Sequence, residues 1–218
     1  MPARTWASPL LAALATALVP INAAAQVERT SRDGWQRVED VFAALEVDEG
    51  DWIADVGAGS GFFSLRLSPR VGPEGRVIAQ DIDARVLRDL REAAGHAGLD
   101  NIETVVGKKD DPKLPEGRLD GVLIVNAYHE MDEYEAMLGG IRRALRPDGR
   151  LVIIDTPPRD STVSRRRQTS RHDITIAIVV RELEAAGFRV IDQVPEFARS
   201  GRTQQWMLVA VVAEYEGR

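Results

Sequence analysis

The sequence predicts one α/β domain whose doubly wound, mostly parallel, seven-stranded sheet ends in a C-terminal antiparallel strand. Short apolar runs alternate along the chain with segments of helical periodicity. The runs are apolar along their whole length, as expected when helices cover both faces of a parallel sheet. In the last third of the chain two such runs follow each other without a helix between them, so we expect them to pair antiparallel.

The elements follow from these patterns in order. A first helix is predicted over 35–46, because apolar residues recur there at spacings of three and four: Trp35, Val38, Val41, Phe42 and Leu45. Strands are predicted at 52–56, 76–80, 102–106, 119–125 and 151–155, and helices at 60–70, 84–97 and 133–146. The turn at 146–149 closes the last of these helices. A further helix over 174–186 begins at a cap formed by Asp173 and stops at Gly187, and strands at 189–194 and 205–212 complete the sheet.

Composition limits the classes of function. The chain has 218 residues, of which 44% are hydrophobic, and this suits a single soluble domain. Its net charge of -6 argues against nucleic acid as a partner, because phosphate binding needs a positive surface. The absence of cysteine excludes disulfides, thiolate metal ligands and cysteine nucleophiles. The histidines, His96, His129 and His172, show no ligand spacing, so no metal site is predicted.

The N-terminal residues differ in kind from the rest. Arg4 is the only charged residue before Glu28, and the apolar run at 9–19 is followed by small residues at 23–25. This order is typical of a secretory signal peptide, and the run is shorter than the about 20 residues needed to span a bilayer. We therefore expect a signal peptide at 1–25, a linker at 26–34, a domain at 35–218 and export to the periplasm. If translation instead begins near Val27, the protein stays cytoplasmic.

A glycine-rich turn follows the first predicted strand. Gly57, Gly59 and Gly61 lie where that strand gives way to a helix, and glycine permits both sharp turns and close approach of a ligand. Asp55 precedes the glycines and suits a cofactor that carries positive charge. Asp81 ends the second strand, where a carboxylate can accept hydrogen bonds from both hydroxyls of a ribose. The turn alone is shared with many nucleotide-binding folds.

The ordered set of motifs is more specific than the turn. Segments 55–61 and 77–83 resemble the first two motifs of the class I S-adenosylmethionine-dependent methyltransferases, which have a Rossmann-like fold. Segment 101–115 resembles the family's third strand and adenine-side loop, and 119–126 resembles its fourth strand. The turn at 146–149 departs from the family's commoner Pro-Gly-Gly. The resemblance implies S-adenosylmethionine as cofactor, bound by Asp55, Gly57, Ala58, Gly59, Gly61, Asp81, Ile82, Asp110, Asp111 and Asn126.

Three residues after the fourth strand are candidates for catalysis. Tyr128, His129 and Glu130 follow at the carboxyl edge of the sheet, where open α/β sheets bind ligands. We expect His129 to act as a base or to orient the substrate, with Tyr128 or Glu130 orienting it. The segment resembles a Tyr-His-Glu or Tyr-His-His sequence in one branch of uncharacterised bacterial methyltransferases. The alternative is that Tyr128 and His129 only pack beneath the helix at 133–146.

The acceptor and the competing functions stay open at this point. The arginine-rich segment Arg159–His172 has two interpretations. It could be a lid that selects an anionic acceptor or contacts an acidic membrane surface, or it could be a solvated loop. Small hydroxylated aromatics, quinone precursors and lipid-like molecules are all conceivable acceptors. A non-catalytic, cofactor-binding relative of the same fold is one alternative. A nicotinamide-dependent oxidoreductase is another, but it predicts Gly-x-Gly-x-x-Gly, whereas this chain has Gly-x-Gly-x-Gly.

Overall fold

The computed structural model describes residues 34–213. The predicted signal peptide at 1–25 and residues 26–33 of the predicted linker lie outside the described residues. Helices and strands follow along the described part of the chain in this order: α1 (Val38–Leu45), β1 (Trp52–Val56), α2 (Ser64–Val71), β2 (Arg76–Asp81), α3 (Ala84–His96), β3 (Ile102–Val106), β4 (Leu119–Val125), a short 3₁₀ helix (Tyr128–Glu130), α4 (Tyr134–Ala144), β5 (Leu145–Asp155), α5 (Arg165–Thr169), α6 (Ile176–Ala185), β6 (Phe188–Ser200) and β7 (Thr203–Val212).

The strands form the predicted seven-stranded, mostly parallel sheet. Their order is β3-β2-β1-β4-β5-β7-β6. Strands β1 to β5 are parallel, and β7 lies antiparallel between β5 and β6. From β1 the sheet first extends through β2 to β3 on one side, and the chain then returns so that β4 pairs with the other side of β1. The gap between the carboxyl ends of β1 and β4 is therefore the switch point where such sheets bind ligands.

Apolar residues cover both faces of the sheet, which is why the central strands are apolar throughout. One buried cluster includes Ile124, Leu138 and Leu183. A second cluster contains residues of α1, α2 and the strands, among them Phe42 and Leu67. Full burial of such a side chain contributes roughly 1.5–3 kcal/mol. These two clusters hold helices on the sheet and leave its carboxyl edge to the connecting loops. Within residues 34–213, no helix has both the length and the apolar character needed to cross a membrane.

Several element boundaries differ from the sequence prediction. Arg37 has a left-handed backbone, φ 48°, which interrupts the first predicted helix, so α1 begins at Val38. Strand β5 begins at Leu145, and the predicted turn at 146–149 is an irregularity within its pairing to β4. Helix α5 has no counterpart in the sequence prediction. Helix α6 begins at Ile176 after Thr175, so Asp173 is not its cap as predicted, whereas Gly187 follows its end at φ 83° as expected.

Candidate functional site

A cavity of about 270 Å³ lies at the carboxyl edge of the sheet, at the switch point. Its walls combine the glycine turn, the end of β2, the loop after β3 and the segment after β4. The lining residues are Val56, Gly57, Gly59, Gln80, Asp81, Ile82, Lys108, Lys109, Asn126, Ala127, Glu130, Met131, Asp132 and Met137. Five residues that the sequence singled out therefore lie on one cavity with Glu130: Gly57, Gly59, Asp81, Ile82 and Asn126.

The glycine turn has a backbone that other residues rarely adopt. Gly57 has φ 74°, and a Cβ atom there would lie 2.4 Å from the Cβ of Ala127. Gly61 has φ 77°, and its Cβ would lie 2.1 Å from Cδ1 of Leu90. Gly59 has φ 52° but faces open space. Gly57 thus lets β1 approach the segment after β4, and Gly61 lets the turn pack on α3.

Asp81 is held in the cavity wall by backbone amides. Its Oδ2 accepts a hydrogen bond from the amide of Gly59 at 2.9 Å, and its Oδ1 accepts one from the amide of Asp83, also at 2.9 Å. The carboxylate is thereby oriented and still has lone pairs for a further donor such as a ribose hydroxyl. Ile82, next to it, is 55% exposed and adds an apolar surface to the wall.

Asn126 is positioned from the far side of the sheet. It has a left-handed backbone, φ 54°, directly after β4. Its Oδ1 accepts a hydrogen bond of 2.6 Å from Nε2 of Gln205, a buried residue of β7. Asparagine tolerates this backbone conformation better than most residues, and the bond from Gln205 fixes the direction of its side chain.

Other predicted cofactor residues lie away from the cavity wall. Asp55 is buried, and its Oδ2 accepts hydrogen bonds from the amide and the hydroxyl of Ser64, at 3.0 and 2.6 Å. It therefore stabilises the start of α2 behind the glycine turn. Asp110 and Asp111 are exposed and do not line the cavity, whereas Lys108 and Lys109 do. A direct cofactor contact by these three aspartates stays a prediction.

His129 is held by a carboxylate that the sequence analysis did not single out. Nδ1 of His129 lies 2.8 Å from Oδ1 of Asp155, and the His129 amide donates to Oδ2 of Asp155 at 3.1 Å. Asp155 is completely buried at the end of β5. Burial of the imidazole lowers its pKa, but the hydrogen bond and charge of Asp155 outweigh burial, so the pKa of His129 is raised. The acid at the end of β5 was the available clue in the sequence.

Tyr128 points its hydroxyl at a different partner. The side chain is completely buried, and its hydroxyl donates to Oε2 of Glu182 at 2.8 Å. Glu182 also pairs with Arg165 at 2.7 Å. Burial, with the nearby charge of Glu182, raises the pKa of Tyr128 well above its ordinary value. Tyr128 thus packs beneath α4 and α6, as the structural alternative expected, and it does not line the cavity.

Glu130 and His172 complete a cluster around His129. Oε1 of Glu130 lies 3.7 Å from Nε2 of His129 and 3.6 Å from Nδ1 of His172. The rings of His129 and His172 meet edge to face, with centroids 5.5 Å apart. The three potential ligand atoms lie within 4.8 Å of one another. The argument from sequence spacing against a metal site therefore does not hold for these three residues.

The arginine-rich segment Arg159–His172 is partly ordered by its own contacts. It contains α5, whose Gln168 is buried and accepts hydrogen bonds from Thr175. Arg165 is bound to Glu182 and to the carbonyl of Met131. Its other arginines, Arg159, Arg166, Arg167 and Arg171, are exposed. The segment is thus anchored beside the site by one arginine, and its contact with a membrane or an anionic acceptor stays a prediction.

The cavity fits S-adenosylmethionine in its chemistry. Asp81 offers an oriented carboxylate, and Gly59 leaves open space beside it. Asp132, which sequence reasoning missed, adds a second exposed acid that suits a cationic ligand. Ile82, Met131 and Met137 supply apolar surface for a base or a thioether.

Comparisons with known proteins indicate the kind of domain that carries this site. A family model described as a methyltransferase domain matches residues 53–149. A demethylmenaquinone methyltransferase of Listeria welshimeri is 29% identical over 122 residues, which are 56% of this chain and 51% of that protein. A ubiquinone/menaquinone biosynthesis C-methyltransferase of Hahella chejuensis is 31% identical over 121 residues, 55% of this chain and 49% of that protein. The chain thus spans about half the length of the curated relatives it matches.

Solved structures extend the likeness to most of the chain. A SAM-dependent methyltransferase from Aquifex aeolicus superposes with a TM-score of 0.72 at 26% identity, covering 88% of this chain and 97% of that one. A geranyl diphosphate methyltransferase in complex with SAM gives a TM-score of 0.67 at 15% identity, covering 82% and 85%, and shows the shared fold alone. Residues 53–149 thus match a methyltransferase domain, and the chain as a whole is similar to the SAM-dependent methyltransferase from Aquifex aeolicus.

Proposed function

We propose that this protein transfers the methyl group of S-adenosylmethionine to a small, hydroxylated, lipid-like acceptor of the quinol type. The observation that carries the proposal is the His129–Asp155 pair, which stands directly beside a cavity suited to S-adenosylmethionine. Two of the matched relatives are named for menaquinone or ubiquinone biosynthesis, and this supports the choice of acceptor. In this proposal His129 and Glu130 lie next to the acceptor, and Tyr128 contributes only packing.

The cofactor is held by residues from separate loops. Asp81 would accept hydrogen bonds from the ribose hydroxyls, and the glycine turn and Asn126 would hold the methionine part. When bound, S-adenosylmethionine supplies an electrophilic methyl group on a sulfonium. The protein's contribution is to hold the acceptor in line with that group and to keep water out. Such positioning can supply roughly 7–11 kcal/mol of a reaction barrier.

The acceptor is oriented by His129 and Glu130. Asp155 occupies Nδ1 of His129, so Nε2 is the ring nitrogen that remains on the side of Glu130. His129 is only 6% exposed, whereas Glu130 is 61% exposed and lines the cavity. An acceptor hydroxyl therefore meets a fixed imidazole edge and a flexible carboxylate. Met131 and Met137, whose side chains adapt to irregular shapes, provide surface for the apolar part of the acceptor.

The proposal is tested in two steps on the purified full-length chain. Calorimetric titration with S-adenosylmethionine, and separately with NADH, is expected to show micromolar binding of the first and none of the second. Transfer of a labelled methyl group is then measured to a short-chain demethylated quinol, with a carboxylic acid and an amine of similar size as comparison acceptors. Preference for the quinol supports the proposal. Tight cofactor binding without transfer to any of them favours the non-catalytic alternative, and NADH binding alone overturns the assignment.

Export is a separate proposal, supported by the sequence of residues 1–25. Arg4, the apolar run at 9–19 and the small residues at 23–25 follow the order of a secretory signal. An exported methyltransferase would meet its cofactor outside the compartment that makes it. A lipid-like acceptor fits this placement, because quinols reside in the membrane that borders the periplasm.

A further inference from the structure

We propose that His129, Glu130 and His172 bind a divalent metal ion, with Zn²⁺ the best match. The three residues come from two loops at the carboxyl edge of the sheet, the segment after β4 and the segment between α5 and α6. Their potential ligand atoms lie within 4.8 Å of one another. Two imidazoles and one carboxylate form a set that leaves a fourth tetrahedral position open, as in catalytic zinc sites.

The spacing of the ligand atoms fits such an ion. With metal–ligand distances of about 2.0–2.1 Å, tetrahedral geometry separates neighbouring ligand atoms by about 3.3 Å. Oε1 of Glu130 lies 3.7 Å from Nε2 of His129 and 3.6 Å from Nδ1 of His172. These two distances need to shorten by only a few tenths of an ångström, and the two imidazole nitrogens lie within 4.8 Å of each other. Glu130 and His172 are 61% and 75% exposed, so their side chains can make that adjustment without disturbing the core.

The surroundings of His129 are those of a metal ligand. Metal-binding histidines almost always donate their second ring N–H to a carboxylate or carbonyl, which fixes the tautomer and the ring orientation. Asp155 accepts from Nδ1 of His129 at 2.8 Å, and the amides of His129 and Thr156 hold the Asp155 carboxylate in turn. Nε2 is therefore the nitrogen left with a lone pair, and it is the one that faces Glu130.

Two further observations concern the surroundings of His172 and are compatible with a bound cation. Oδ1 of Asp173, next in the chain to His172, is buried and has no hydrogen-bond partner within residues 34–213. His172 itself has a left-handed backbone, φ 58°, which costs energy for a residue other than glycine or asparagine. A cation held by the two imidazoles would offset the unpaired carboxylate oxygen, and coordination would compensate for the backbone strain. Imidazole ligands favour Zn²⁺ and related ions over Mg²⁺, which prefers oxygen.

The metal site deepens the proposed function, and its catalytic use rests on that function. Glu130 lines the cavity as well as contacting both histidines, so the ion would lie on the cavity wall. A hydroxyl oxygen of the acceptor could fill the open coordination position. The ion would then orient the acceptor, and His129 and Glu130 would contribute to that orientation by holding the ion.

Metal binding is tested without cofactor or acceptor, on full-length protein that carries no histidine tag and has been dialysed against a chelator. Calorimetric titration with ZnCl₂ is expected to show one ion per chain with micromolar affinity or better, and titration with MgCl₂ none. His172→Asn and Glu130→Gln should each weaken zinc binding by about tenfold or more. Asparagine is chosen at 172 because it tolerates the left-handed backbone. Asp155→Asn should weaken binding by about 10- to 100-fold.

His96→Asn is the matched control, because His96 is the remaining histidine of the chain and lies on α3 outside the cluster. Its zinc affinity should equal that of the unchanged protein. X-ray absorption of the zinc complex should show two imidazoles around the ion. Absence of zinc binding, or binding that neither His172→Asn nor Glu130→Gln weakens, overturns the proposal. This experiment measures zinc binding and no methyl transfer. Zinc binding would therefore stand even if the protein transfers no methyl group, and a lack of zinc binding would not contradict methyl transfer.

Discussion

At the scale of single residues, Asp81 connects the end of β2 to the glycine turn. One of its oxygens is fixed by Gly59 and the other by Asp83, so its remaining lone pairs have a defined direction. This arrangement explains how one carboxylate can serve as a selective acceptor for a diol. It also makes the residue a sharp test of the cofactor assignment.

Asp81→Ala is expected to weaken binding of S-adenosylmethionine by roughly 10- to 100-fold, since hydrogen bonds to a charged group contribute about 1.5–3 kcal/mol. Calorimetric titration measures the loss. Asp89→Ala, an exposed acid on the next helix, is the control and should bind as the unchanged protein does. Equal affinity of the Asp81 variant would show that the cavity binds its ligand without this residue.

Asp155 is completely buried and contacts His129, so we expect it to influence methyl transfer only through that imidazole. Asp155→Asn keeps the size of the side chain but removes the charge that fixes the imidazole. We expect kcat for methyl transfer to fall about 10- to 100-fold, as for other partners that orient a catalytic-site histidine. The dissociation constant for S-adenosylmethionine should stay unchanged. A fall in cofactor affinity equal to the fall in kcat would show a general loss of structure instead.

At the scale of elements, the glycine turn joins two packing requirements. Gly57 faces the segment after β4, and Gly61 faces Leu90 on α3. Both have positive φ, as does Gly59, whose missing Cβ faces open space. An alanine at Gly59 would meet backbone strain alone, whereas an alanine at Gly61 would meet backbone strain and a steric clash.

Gly61→Ala should destabilise the fold by about 1–3 kcal/mol more than Gly59→Ala, because only the first alanine overlaps a neighbouring side chain. Urea unfolding followed by circular dichroism measures both. In the double variant Gly61→Ala with Leu90→Ala, the loss should be smaller than the sum of the two single losses. Additive losses would mean that the turn and α3 do not contact each other as described.

Helix α6 meets the rest of the site through Glu182. Burial raises the pKa of this carboxyl, even though its contacts with Tyr128 and Arg165 act in the opposite direction. A folded-state pKa above the unfolded value favours the protonated form in the folded protein. The resulting stabilisation is present below the unfolded pKa and is lost as the pH rises through the folded pKa.

The variant Glu182→Gln removes this titration. The free energy of unfolding of the unchanged protein, minus that of the variant, should therefore fall as the pH rises above the ordinary glutamate value of about 4.5. Urea unfolding at a series of pH values measures it. The other ionisable groups that contact this carboxyl are Tyr128, Arg165 and Arg181, and all three are present in both proteins. A difference that rises with pH would contradict the raised pKa.

At the scale of the whole molecule, compartment and function are linked. Fusion of residues 1–30 to a reporter enzyme that is active only after export should give activity, because the segment has the layout of a secretory signal. Replacing two leucines of the apolar run, Leu14 and Leu18, with aspartate should abolish that activity, since charge breaks the apolar stretch. Lack of reporter activity in the original fusion would contradict export, and activity that survives the two changes would show that the apolar run is not the export signal.

Much of the architecture could be predicted from the sequence. The alternation of strands and helices, the parallel core and the antiparallel end of the sheet all follow from local periodicity, and the structure confirms them. The boundaries that differ depend on contacts between distant parts of the chain. Strand β5 is longer than predicted because it pairs with β4 on both sides of an irregular turn, and periodicity does not register such pairing.

The sequence by itself determined the parallel sheet, the glycine turn and the acid at the end of β2, because these depend on residue type at short spacing. Only the tertiary structure joined His129 to Asp155, 26 positions away, and Tyr128 to Glu182, 54 positions away. It also brought His172 to Glu130. The physical reason is that parallel strands end at a common edge, so residues far apart in the chain meet there, and their partners are chosen by packing and not by spacing.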